Sequence, residues 1–171
     1  MSKTTIPAGG LASDSVTTAK IADDAVTAAK ATGFGKIGQV LQVTTKTETA
    51  TNSTSFVDCT NMSLNITPSA TSSKILAIAN VAGLICSAND TDAVSLRILR
   101  DSTEVSILVN VNFKTNDDDV LSCVPMTALD SPSSSSQLTY KIQVRNRQSN
   151  NVSMNGSGDS DTSLTLIEVL A

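Results

Sequence analysis

The chain has 171 residues but no histidine and no tryptophan, and its aromatic side chains are one tyrosine and three phenylalanines. Without histidine the commonest general base is absent, and with it the Ser-His and Cys-His nucleophilic pairs and most zinc sites. So few aromatics leave no evident platform to hold a sugar, and no aromatics interleaved with basic residues to stack bases. Positive charge is also scarce: the net charge is −4 and the pI is about 4.6, which argues against a nucleic-acid-binding surface. The nearest basic cluster is Arg145-Asn-Arg147, in a strand-like segment. No run approaches the ~18 apolar residues of a membrane span. The most hydrophobic segment, 75–86, is interrupted by Asn80 and Gly83. The first ten residues lack the apolar core of a secretory signal, so synthesis in the cytoplasm without membrane insertion is expected. The three cysteines, Cys59, Cys86 and Cys123, are odd in number and have no metal-ligand spacing. Each sits in an apolar, strand-like context and is expected to be a buried small hydrophobe.

The carboxylates do not suggest catalysis either. They gather in turns, at Asp90 and Asp92, at Asp117, Asp118 and Asp119, and at Asp159 and Asp161, where solvation leaves such groups ordinary. The last two groups could attract Ca²⁺, but neither has the closing Glu of a twelve-residue EF-hand loop. Solvated turn acids are the better reading, and no cofactor or metal is expected. Several Asn-x-Ser/Thr sequons arise from the abundance of those residue types and carry no weight.

What is present is repetition. Leu11-Ala-Ser-Asp-Ser-Val-Thr-Thr-Ala-Lys20 is followed at once by Ile21-Ala-Asp-Asp-Ala-Val-Thr-Ala-Ala-Lys30. Fixed-period similarity marks a rod whose units are too small to bury their own apolar groups. The apolar row is Leu11, Val16, Ile21 and Val26, one every five residues. That spacing turns a continuous helix by about 500° per step, which makes no seam. In a continuous strand it alternates between faces. A broken unit fits better, with Asp14 and Asp24 each N-capping about one helical turn and Lys20 and Lys30 near its C-terminal end. So short a turn does not persist alone in water, and four side chains make no core in one chain. Parallel copies around a common axis can bury them.

After this stalk, Thr32-Gly-Phe-Gly-Lys-Ile-Gly38 reads as a neck, and the pattern then changes to β. Strands are predicted at 40–46, 55–65, 74–85, 92–100, 104–113, 120–129, 137–146 and 163–170. Leu138, Tyr140, Ile142 and Val144 alternate with Thr139, Lys141, Gln143 and Arg145. In the last segment Leu164, Leu166 and Glu168 share one face and Ile167 and Val169 the other, which predicts a strand covered on both sides. Polar turns separate the segments, among them Arg100-Asp-Ser-Thr103 and Asn155-Gly-Ser-Gly-Asp-Ser-Asp161. About eight short strands at regular spacing predict an all-β fold, an antiparallel jelly-roll-like sandwich. The organisation expected is an extended attachment peptide at 1–10, the stalk and neck at 11–36 and a β-sandwich knob at 37–171.

The stretch from Ser15 to Thr27 resembles the repeats of tail fibres and related fibrous virion proteins of tailed phages, especially phages of marine bacteria and cyanobacteria. The β part is similar to the C-terminal knob of those proteins at 38–43, 54–58, 66–76, 99–105, 129–132, 139–143 and 163–168. Each piece is plain β sequence; their order and completeness supply the specificity. The resemblance implies a parallel homotrimer, a non-enzymatic virion structural protein anchored to capsid or tail proteins by its N-terminal segment. Two repeats make a short shaft, since 36 residues span about 55–120 Å. A short fibre, a spike or a capsid-decorating head fibre at the virion surface is therefore expected. A secreted lectin-like adhesin and a glycan depolymerase are the competing classes. Candidate receptor-binding loops, with a host cell-surface glycan as partner, carry Asn89, Asp90 and Asp92; Asn116, Asp117, Asp118 and Asp119; and Asn151 and Asn155.

Overall fold

The structure is a computed structural model that describes residue 17 and residues 37–86, 93–111, 122–147, 151–156 and 158–170. The chain divides into two units, Met1–Lys36 and Ile37–Ala171, and the fold described below belongs to the second. Ten strands make it up: β1 (Ile37–Thr45), β2 (Thr49–Thr51), β3 (Val57–Ile66), β4 (Lys74–Cys86), β5 (Val94–Arg100), β6 (Thr103–Val111), β7 (Ser122–Asp130), β8 (Leu138–Asn146), β9 (Val152–Met154) and β10 (Thr162–Val169). Among the described residues each of the eight predicted segments contains a strand. The two additions, β2 and β9, are three residues each, too short to show a period.

All pairings are antiparallel. One sheet has the order β1-β10-β4, with β7 on β4 and the short β9 and β2 continuing from the far end of β4; the other has the order β3-β8-β5-β6. β1 and β2 run along β10 and β9 respectively, so each pair is one strand with an interruption. Counted that way there are eight strands. The first pairs with the eighth, the second with the seventh, the third with the sixth and the fourth with the fifth. This is a long antiparallel hairpin rolled up on itself, the jelly roll.

Period-two alternation sends one side chain in two into the space between the sheets. From one side come Ile75, Ala77, Ala79 and Val81 of β4 with Leu164 and Leu166 of β10; from the other come Leu96 and Ile98 of β5 with Leu138, Tyr140, Ile142 and Val144 of β8. Each large aliphatic buried there contributes about 1.5–3 kcal/mol. Among the described residues Tyr140 is the one aromatic in this core, so aliphatics fill most of it.

At the interruption, Asn155 and Gly83 face each other in left-handed backbone, at φ 55° and 58°. A Cβ on Gly83 would lie 2.9 Å from the Asn155 Cα, so glycine is required there. The Asn155 amide N–H donates to the Ala82 carbonyl at 3.0 Å and that of Gly156 to Gly83 at 3.1 Å.

Of the cysteines, Cys59 meets the expectation of burial and the other two depart from it. Cys59 is buried, Cys86 is half-buried and Cys123 is exposed. Burial first, and the Asp58 charge second, push the Cys59 thiol up to about 12. Cys123 lies on the outward side of β7, where its thiol donates to Asn80 Oδ1 at 2.9 Å.

Candidate functional site

Most sequence-predicted site residues lie outside the described residues. These are the stalk positions Leu11, Asp14, Val16, Ile21, Asp24 and Val26, and the loop positions Asn89, Asp90, Asp92, Asn116, Asp117, Asp118 and Asp119. Asn151 is exposed at the start of β9, and Asp159 and Asp161 are exposed.

Asn155 corrects the expectation of an exposed loop residue, for it is fully buried. Its Nδ2 donates to the carbonyls of Thr45 at 3.0 Å and Thr47 at 3.2 Å, and its Oδ1 accepts from the Thr162 hydroxyl at 2.8 Å. Thr162 Oγ1 in turn accepts the Ala82 amide at 3.0 Å. The interruption of both strands takes these backbone groups out of the regular ladder, and the Asn155 side chain satisfies them. Asn155, which its Gly-rich neighbourhood suggested as part of a receptor loop, is here a plug in the sheet.

Two carboxylates sit at one end of the sandwich, and the sequence patterns singled out neither as a centre. Glu168 and Asp130 both pair with Ile75, one from each side of β4. Glu168 is 1% exposed. Its Oε1 accepts the Ser69 amide and hydroxyl, both at 2.6 Å, and its Oε2 accepts Gln39 Nε2 at 2.8 Å. Burial alone would raise its pKa, but these donors outweigh it and hold the carboxyl at about 2. Asp130 accepts Arg100 Nη1 at 2.7 Å and the Tyr140 hydroxyl at 2.6 Å. Burial, then the Asp130 carboxylate, push the Tyr140 phenol above its ordinary value. Asp130 belongs to one sheet and Arg100 and Tyr140 to the other, so this cluster straps the sheets together. Glu168 instead ties the start of β1 and the turn after β3 to the end of β10.

The two outer faces differ in chemistry. On the β3-β8-β5-β6 sheet, Asp58 accepts Gln143 Nε2 at 2.6 Å and Lys141 Nζ at 2.9 Å. The Gln143 amide and Lys141 together hold its carboxyl below the ordinary value. Gln143 Oε1 accepts Arg97 Nε at 2.7 Å, and Arg97 Nη1 meets Glu104 at 3.3 Å. The guanidiniums of Arg97 and Arg145 lie over the Phe56 ring, 4.1 and 4.6 Å from its centre.

On the other sheet the registers align Val40 with Ile167, Ile167 with Leu76, and Leu76 with Leu129. All four alternate with inward residues, so an apolar row crosses β1, β10, β4 and β7 on the outside. Val40 and Leu129 are each 57% exposed. The next row is Gln42, Thr165, Ile78 and Thr127, with Gln42 Nε2 donating to Thr165 Oγ1 at 2.8 Å.

No protein-family model matches this chain, and no curated protein matches it. Among solved structures the chain is similar to the crystal structure of the infectious bursal disease virus VP2 subviral particle, with TM-score 0.47 and 12% identity over 77% of this chain and 32% of that one. It is also similar to the structure of the infectious bursal disease virus Gx strain, with TM-score 0.35 and 13% identity over 79% of this chain and 39% of that one. The chain thus spans between 32% and 39% of the length of these neighbours.

Proposed function

We propose that this chain is a non-enzymatic structural protein of a tailed-phage virion: a short trimeric fibre or spike, attached through its N-terminal segment and presenting the jelly roll outward. The observation that carries the reading is the order of parts. A decapeptide repeat whose apolar row cannot be buried within one chain leads into a jelly roll, an architecture used in viral capsid and lectin domains. The chemistry of the carboxylates supports a structural role. Glu168 and Asp130 stand about two strand spacings apart, roughly 10 Å between backbones, close to but beyond the ~6.5–9.5 Å between the carboxyls of an inverting glycosidase. Each is also saturated by donors, and Glu168 is driven down where a general acid must be raised.

A capsid-decorating head fibre is the second reading, favoured by an array of only two repeats. Receptor contact would fall to the loops containing Asn89–Asp90, Asn116–Asp119 and Asn151, which are rich in groups able to hydrogen-bond a host-surface glycan.

Immunogold labelling of purified particles, with deletion of residues 2–10, tests the proposal. Label at the virion surface, lost on deletion while the protein stays folded, is expected. Absence of the wild-type protein from particles overturns it. Label on the head rather than the tail selects the second reading. Purified protein that blocks host adsorption supports a receptor role, and none at saturation rejects it.

A further inference from the structure

We propose that the outer face of the β1-β10-β4-β7 sheet is the surface through which copies of this chain pack together, centred on the row Val40, Ile167, Leu76 and Leu129. The inference rests on the trimeric-stalk reading and names where the knobs would meet. In an antiparallel sheet with one solvated face, the outward positions are ordinarily polar. Here four apolar side chains line up across four strands over about 14 Å, beside the exposed Ile78.

A second copy fits this face for two reasons. Among the outward side chains of the four strands, Lys74 is the one charge and none is acidic. A chain of net charge −4 can therefore meet itself here without bringing carboxylates together. The second reason is chain connectivity. The stalk and neck segment ends at Lys36, and the next residue, Ile37, opens β1 at 61% exposure, paired with the outward Val169. Along the sequence, then, the proposed face opens directly after the repeat and neck segment.

The test is sedimentation of the full chain over a dilution series, comparing wild type with Val40→Lys/Leu129→Lys and with Thr60→Lys/Ser63→Lys on the opposite sheet. Wild type is expected to be trimeric. The first variant should dissociate at a concentration at least about tenfold higher than wild type, and the second should match wild type. A trimeric wild type whose first variant dissociates as the second does overturns this interface alone. A monomeric wild type at every concentration overturns the stalk reading and the interface with it. Maleimide labelling of Val40→Cys, followed by peptide mass spectrometry, keeps the test open if the lysine variant fails to fold. Labelling at least about tenfold slower in the trimer than after dilution supports the interface; equal rates overturn it.

Discussion

On the outer face of the β3-β8-β5-β6 sheet, Asp58, Lys141, Gln143, Arg97 and Glu104 form a chain of contacts among themselves. On the outer face of β1-β10-β4-β7 the outward positions are aliphatic or neutral polar apart from Lys74, crossed by the row from Val40 to Leu129. The first face pairs most of its charges with one another, with Arg145 over Phe56 and Ile107 exposed beside Arg97. The second carries few polar groups around an exposed apolar row and gains stability when something covers that row. One core thus supports two surfaces of different chemistry, one crossed by paired charges and the other by an apolar row. The lesson is that the outward half of a strand's alternation carries functional information as the inward half carries the fold.

The comparison depends on β1 staying in register with β10, since a one-residue slip would turn Val40 inward. Glu168 holds that register through Gln39, and it gives the largest expected effect. Glu168→Ala strands the Ser69 and Gln39 donors in a buried site and should destabilise by about 3–5 kcal/mol in urea unfolding. A loss under about 1 kcal/mol would show that the cradle is not what fixes this edge.

Acid probes the same centre. The Glu168 pKa is depressed in the folded chain to about 2 from an ordinary 4.5, so its stabilisation is fully present above about 4.5 and is lost as pH falls through 2. The difference corresponds to roughly 3 kcal/mol at neutral pH. Melting temperature should fall through this window in wild type and fall less in Glu168→Gln. Identical pH profiles for the two proteins would count against the assignment.

Asn155→Ala should cost about 2–3 kcal/mol in chemical denaturation, because it leaves the Thr45 and Thr47 carbonyls unpaired and puts alanine at positive φ. Were Asn155 instead an exposed receptor residue, stability would not change. Arg97→Ala, in the self-satisfied network, should cost less than about 1 kcal/mol, and added salt should shrink the difference further. A larger, salt-independent loss would mean that this face too is built around burial.

The strands were legible because alternation and polar turns are local signals. β8 shows this most clearly, with its inward Leu138, Tyr140, Ile142 and Val144 all buried. Glu168 was readable as a member of the inward face of β10, but its partners were not. Ser69 and Gln39 lie 99 and 129 residues away in sequence, and no local pattern records such distances. Asn155 misled for a related reason. Asn next to Gly favours left-handed backbone in any turn, and only the Gly83 and Thr45 backbones beside it make this turn an interior one.

By itself, then, the sequence determined the all-β class, the positions of the long strands and the existence of a decapeptide repeat, all consequences of side-chain period along a local stretch. The pairing of first strand with eighth, the merging of β1 with β2 and β9 with β10, and the alignment of Val40, Ile167, Leu76 and Leu129 into one row were decided by tertiary structure. Those four residues belong to four strands spread from position 40 to position 167, and register between strands is set by the hydrogen-bond ladder and the packed core, which no single segment contains.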